Sequence, residues 1–190
     1  MTKIGALIPI RLSSERLKQK SLKKICDRPM LYHLLDRVLA CKYITNKKMI
    51  IVCTTQDSSD DPLVDVCKNY GVSLFRGSKN DLIHRFYSAI NYFNLDMILQ
   101  IDGDDPLTDT GYMNLCLENL TKNNCDVTIC ENLPLGIASK AFTKNAILKV
   151  KDFYVPGVND TGYMYFFTKT DLCKIHIIKP TSKFHINNKI

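Results

Sequence analysis

The chain has 190 residues, 45% of them hydrophobic and 24% charged, a globular balance that suits one domain with a buried core and argues against extended disorder. The opening MTKIGALIPI is too short for a secretory signal and lacks a small-residue cleavage site. No apolar run approaches a bilayer's thickness, so export and membrane insertion are disfavoured and the cytoplasm is the expected location. The formal net charge of +7 is uneven: residues 1–48 hold 12 Lys/Arg against 3 Asp/Glu, and the remainder 14 against 16. That excess points to an anionic partner near the N-terminus.

The elements alternate. KIGALIPI is an apolar run of buried-strand type, and a helix follows over Pro29–Cys41, with Pro29 as its first residue and Leu31, Leu34, Leu35, Val38 and Leu39 at helical spacing. KMIIVCTT is the second strand. DDPLVDVCKNYG predicts a helix capped by Asp61, with Pro62 in the first turn and Gly71 just past its end. VSLF is a third strand, residues 80–93 a helix, and DMILQI a fourth strand that ends abruptly in DGDDPLTD. Asp109 is placed to cap a helix to about Leu120, and CDVTIC is a fifth strand. Beyond it FTKNAILKV reads as a short helix and TGYMYFF as a strand, while the last ten residues are polar and indistinct.

Strands alternating with helices over short connections imply a Rossmann-like α/β fold of three layers, with a mostly parallel central sheet. In such sheets ligands bind beyond the carboxyl ends of the strands. Four loops should therefore rise on one rim: Arg11 to Lys20, Thr54 with Thr55, Arg76 to Asp81, and Asp102 to Asp105. The eight cysteines form no CxxC pair, Cys53 and Cys130 sit in or beside apolar runs, and Cys67 and Cys116 lie on the apolar stripes of helices, which suggests inert hydrophobes in a reducing compartment.

The first loop carries neither GxGxxG nor a GxxxxGK P-loop. It carries Arg11, Arg16, Lys18 and Lys20, with Ser13 and Ser14 between them. Arginine's planar fork suits paired phosphate oxygens, and lysine acts as a point charge. A solvated charged loop is the plain alternative. A strand end and tight loop fit a small phosphorylated ligand better than a nucleic acid. The second informative stretch is the acidic one: Asp102, Asp104 and Asp105 repel one another unless a cation collects them, and oxygen ligands favour magnesium, with manganese as the alternative. Asp104 is the first choice of metal ligand and Asp102 the second. An acidic turn with a helix cap is the rival account. Cations for a triphosphate and carboxylates for its metal, on one rim, make a nucleoside-triphosphate site.

These residues also carry a resemblance. IPIRLSSERLKQKSL is similar to the N-terminal signature of the CMP-sugar synthetases, roughly Ile/Val-x-x-Arg-x-x-Ser-x-Arg-Leu/Ile-Pro-x-Lys, with Arg11, Ser14, Arg16, Leu17 and Lys20 falling on it. RPMLYHLLDRV looks like the helix that follows in that family. CTTQDSSDDPLVDVCKNYGVSLFRGSKNDLIHRFYSAI and IDGDDPLTD resemble the branch named after the spore-coat polysaccharide synthesis protein SpsF. The likeness is clear over residues 4–109 and thinner to about residue 180.

The resemblance implies a nucleotidyltransferase (GT-A-like) fold over a single domain, 1–190, and a magnesium-dependent cytidylyltransferase. Such an enzyme would transfer CMP from CTP to a sugar or sugar acid and release pyrophosphate, in surface polysaccharide or glycan precursor synthesis. Arg11, Arg16 and Lys20 would hold the triphosphate and Asp104 the metal. Ser13, Ser14 and Thr54 would line the nucleotide site, and Asp81 and Arg85 would lie near the nucleotide or order their loop. The last two could equally be a helix cap and an i, i+4 pair. CTP and a sugar are the implied partners, in a homodimer, with no nucleic acid and no membrane.

Three departures bear on this. Lys18-Gln19 replaces the family's Pro-Gly, Ala138 and Lys140 replace two acids of a later Pro-x-Gly-x-Asp-x-Glu-x-Phe pattern, and the sequence stops before a C-terminal Val-Asp segment that such proteins carry. A truncated chain and a short natural variant with a weakened metal site both stay open. Two rival functions also stand. One is a glycosyltransferase using Asp102-Gly103-Asp104 as its DxD triplet, and the other is a nucleotide-binding homologue without turnover.

Overall fold

The computed structural model describes residues 2–13, 17–155 and 162–180. Its frame is a seven-stranded sheet in the order β5-β4-β1-β6-β8-β7-β9, with β1 at Ile4–Pro9, β4 at Ile50–Thr55, β5 at Ser73–Gly77 and β6 at Met97–Gln100. Strand β7 is Val127–Cys130, β8 Lys140–Thr143 and β9 Ile175–Ile178. The β5, β4, β1 and β6 pairings are parallel, as is β7 with β9, while β8 runs antiparallel to both its neighbours. The sheet is thus mostly parallel, as expected. A two-residue hairpin, β2 (Lys24–Ile25) and β3 (Arg28–Pro29), lies apart from it.

The apolar run of β1 is continuous because both of its faces are covered. Ala6 and Ile8 join a core with Leu31, Leu34, Leu35 and Val38 of α1 (Met30–Leu39), Leu63 and Cys67 of α2 (Pro62–Tyr70), and Met113 of α4 (Thr110–Lys122). Leu7, pointing the other way, joins Phe86 and Ile90 of α3 (Leu82–Phe93), Ile147 of α5 (Lys144–Lys151) and Phe167 of α6 (Met164–Thr168). Strand alternation at one sequence position sorts the helices into two outer layers.

Local signals decide most boundaries. Asp81 Oδ1 accepts from the His84 N–H at 2.7 Å and Asp109 Oδ1 from the Tyr112 N–H at 3.0 Å, so both cap their helices. Gly71, at φ 93°, ends α2 in the left-handed region. Four expectations need correction. Asp61 does not cap α2; its carboxylate pairs with Arg76 at 2.6 Å. Pro29 belongs to β3, because Cys26 and Asp27 both adopt positive φ and turn a tight hairpin just before α1. TGYMYFF was expected as a strand, but α6 is helical: Tyr163 and Phe167 are buried one helical turn apart on the same cluster. FTKNAILKV is not helical throughout, since β8 runs into it before α5 begins. The last ten residues lie outside the described part. All eight cysteines are free thiols, and burial pushes those of Cys53 and Cys67 up to about 12, in keeping with inert packing groups.

Candidate active site

The parallel strands β4, β1 and β6 send their carboxyl ends to one rim, and the loops after β1 and β6 meet there. Gly103 permits the meeting. A Cβ at that position would stand 2.6 Å from the Pro9 carbonyl oxygen and press into the Ile10 side chain, so only glycine lets the acidic loop lie against the end of β1. A cavity of about 1080 Å³ opens between the two loops. Arg11, Ser13 and Lys20 line it from the β1 side, and Asp102, Asp104 and Asp105 from the β6 side. Lys20 Nζ pairs directly with Asp104 Oδ2 across the opening. Ser14 and Arg16, expected at the same site, lie outside the described residues.

A buried carboxylate that no sequence motif flagged holds the first loop in place. Asp60 is 1% exposed. Its Oδ1 accepts from the Leu12 N–H at 2.7 Å, and its Oδ2 accepts from the Thr54 hydroxyl at 2.8 Å, the Thr55 N–H at 3.1 Å and the Thr55 hydroxyl at 2.6 Å. Burial works to raise its pKa, but these hydrogen bonds outweigh it and hold the carboxyl below its ordinary value. The same contacts correct the expectation for Thr54. It is fully buried, its hydroxyl is spent on Asp60, and it does not line the cavity. The only hint in the sequence was the pair of hydroxyls ending β4 ahead of an aspartate-rich turn.

Asp81 and Arg85 part company. Asp81 caps α3 and stays out of the cavity lining. Arg85, 2% exposed, donates Nε to the Ser78 carbonyl at 2.8 Å and Nη2 to the Lys79 carbonyl at 3.1 Å, so it orders the loop after β5 while bordering the cavity. Arg76 braces the neighbouring loop, donating to the carbonyls of Thr55 and Asp57 at 2.9 and 2.7 Å.

The acidic loop is not uniform. Asp102 accepts from Gln100 Nε2 on one oxygen and from Lys140 Nζ on the other, each at 2.9 Å. Among the described residues the Asp105 carboxylate makes no hydrogen bond. Burial first, and then the charges of Asp102 and Asp104, push it up to about 6. On the far side Tyr163 reaches the cavity wall with a buried hydroxyl that has no hydrogen-bond partner among the described residues. Burial, reinforced by the charge of Asp102, raises its pKa well above the ordinary value. No group of three or more His, Cys, Asp or Glu side chains able to hold a metal occurs among the described residues. The donor set nevertheless fits magnesium, which takes one or two carboxylates and completes its shell with phosphate oxygens and water. No helix among them is long and apolar enough to cross a membrane.

Comparison with known proteins places this geometry. An uncharacterized protein of Methanocaldococcus jannaschii, MJ1063, is 36% identical over 179 residues, covering 94% of this chain and 72% of that protein. The spore coat polysaccharide biosynthesis protein SpsF of Bacillus subtilis is 26% identical over 151 residues, covering 79% of this chain. The chain spans only 63% of SpsF's length. The structure of a cytidylyltransferase from Leptospira borgpetersenii superposes with a TM-score of 0.82 at 27% identity, over 95% of this chain and 77% of that one. The cytidylyltransferase family model itself matches residues 5–169, a span that includes both cleft loops, and the chain belongs to that family.

Proposed function

We propose that the chain transfers the cytidylyl group of CTP to a sugar or sugar acid and releases pyrophosphate, supplying an activated precursor for surface polysaccharide or another glycan. The observation that carries this reading is the contact of Lys20 with Asp104 across a cleft lined on one side by Arg11 and Ser13 and on the other by three carboxylates. Without substrate, the cation and the carboxylate neutralise each other. With substrate, the cation turns to phosphate and the carboxylate to the phosphate's counter-ion.

In this reading a sugar oxygen bonds to the α-phosphorus while the bond to the bridging oxygen of the β-phosphate breaks, pyrophosphate leaves with the electron pair, and the proton of an attacking hydroxyl passes to solvent. Negative charge grows on the leaving group, so Arg11 and Lys20 stabilise the transition state more than the bound ground state. Asp60 fixes the Leu12 amide and hence the path of the loop that presents Arg11 and Ser13. Arg85 orders the loop after β5 through its two carbonyl contacts while bordering the cavity. Positioning of this kind does most of the work in phosphoryl chemistry. Magnesium, or manganese in its place, would be held by Asp104 with Asp105 beside it and would neutralise charge on the phosphates.

A coupled assay for pyrophosphate tests the reading, with CTP, UTP, ATP and GTP each offered against a panel of sugar acids and sugar phosphates plus magnesium. Release that requires CTP and one class of acceptor is expected. CTP binding with no product from any acceptor would favour a non-catalytic homologue, and nucleoside-diphosphate release from a sugar nucleotide would favour a glycosyltransferase.

A further inference from the structure

Asp102 and Asp104 stand two residues apart on one rim, yet their carboxylates are committed differently. Both donors on Asp102 come from the sheet: Gln100 and Lys140 lie directly opposite each other in the antiparallel register of β6 and β8. Gln100 is wholly buried, and the Lys140 side chain is the more buried partner of its ion pair, 22% exposed against 39% for Asp102. These are rigid positions. Asp104 is paired instead with Lys20, which sits on a short 3-10 turn at the end of the β1 loop.

A divalent ion seeking Asp102 would have to displace an ammonium held in strand register and an amide from the strand itself. Removing one member of such a partly buried pair leaves the other charge uncompensated. An ion at Asp104 need only displace a loop lysine. Lys140 also faces the cavity, and an ammonium bonded once to Asp102 has two further N–H donors. The buried Tyr163 hydroxyl lines the same cavity and has no hydrogen-bond partner among the described residues, so among them a second donor there lacks an acceptor.

We propose that Lys140 is a cation built into the cleft: it occupies Asp102, confines a divalent ion to Asp104 and Asp105, and presents a fixed ammonium to the phosphates of the bound nucleotide. This rests on the reading of the cleft as a CTP site. Lys140 thereby supplies with a tethered charge part of what a second divalent ion would otherwise supply, and Asp102 acts as its anchor.

The test is calorimetry of CTP binding together with electron paramagnetic resonance of bound Mn²⁺, on the full chain and on Asp102→Asn, Asp104→Asn, Lys140→Met and Lys140→Arg, with a melting curve for each. The full chain is expected to bind one Mn²⁺ with CTP. Asp104→Asn should weaken Mn²⁺ at least tenfold, while Asp102→Asn stays within threefold. Lys140→Met should weaken CTP at least fivefold and admit a second Mn²⁺, and Lys140→Arg should restore most of the CTP affinity. Lys140→Gln serves where the methionine variant melts early. Equal weakening of Mn²⁺ by Asp102→Asn and Asp104→Asn, or unchanged CTP affinity in both neutral Lys140 variants, would overturn the proposal. Failure of the unaltered chain to bind CTP, with or without Mn²⁺, would overturn the function reading itself.

Discussion

The two sides of β6 differ in how they are built and in what they bring to the cleft. On one side β4 and β5 continue the parallel run from β1, each strand returning through a helix, and the loops deliver Arg11, Ser13 and Lys20. On the other side β8 enters antiparallel, and the cleft receives Lys140 from a strand and Tyr163 from the position just before a five-residue helix. The parallel side presents its cations on a loop, the placement on which the proposed grip of a polyphosphate rests. The antiparallel side presents a cation fixed in register. Both halves thus line the same cleft, the regular one with loop cations and the other with Lys140, at a position where the sequence departs from the family pattern.

Substitutions can break that contrast, beginning with the largest effect. Asp104→Asn should lower cytidylyl transfer by about 10²–10³-fold, the usual cost of losing a preorganised electrostatic group, with the melting temperature nearly unchanged. Lys20→Ala should act in the same direction by about 10²-fold on kcat/KM for CTP, as expected for a cation that follows the leaving group. Gly103→Val should destabilise by about 1–3 kcal/mol through overpacking at the junction of the two loops, and calorimetric melting reads it directly. Asp60→Asn should cost about 1–3 kcal/mol, because a buried acceptor site turns into a donor facing other donors.

Asp60 also carries a pH signature. Its folded pKa lies below its unfolded value, so its contribution is present above the ordinary carboxylate range and is lost as pH falls through the folded pKa. Urea unfolding of the unaltered chain should therefore weaken on the acid side, and Asp60→Asn should flatten that limb while leaving the neutral-to-basic limb parallel. The smallest effect is expected at Lys42 and Glu118, an exposed pair far from the cleft in sequence, where Glu118→Gln should leave both melting temperature and activity within error.

How much of this was legible in the sequence follows the same division. The apolar runs of β1, β4 and β6 and the caps Asp81 and Asp109 are local signals, and they sufficed for the parallel side. The meeting of Lys20 with Asp104 followed from the rule that loops after parallel strands share a rim. Asp60 was not legible, because its four donors come from two separate strand ends and only the fold assembles them. Thr54 misled for the same reason: a hydroxyl at a strand's end looks available until its buried acceptor is in place. On the antiparallel side β8 is short and β9 has a histidine in its apolar run, so neither shows a clear period. The aromatic run at α6 suits a strand by composition and a helix by spacing, and packing of Tyr163 with Phe86 and Phe167 decided it. Lys140 was visible as a departure and Asp102 as a carboxylate, but their pairing was not.

The central claim is that one polyphosphate chain is gripped jointly by the β1 loop and the acidic loop. The most direct measurement is a magnesium-containing titration comparing CTP, CDP and CMP on the unaltered chain and on Lys20→Ala. The account predicts that CTP binds at least tenfold more tightly than CMP and that Lys20→Ala removes most of that difference. Equal affinity for the three nucleotides, or a CTP preference untouched by loss of Lys20, would contradict it.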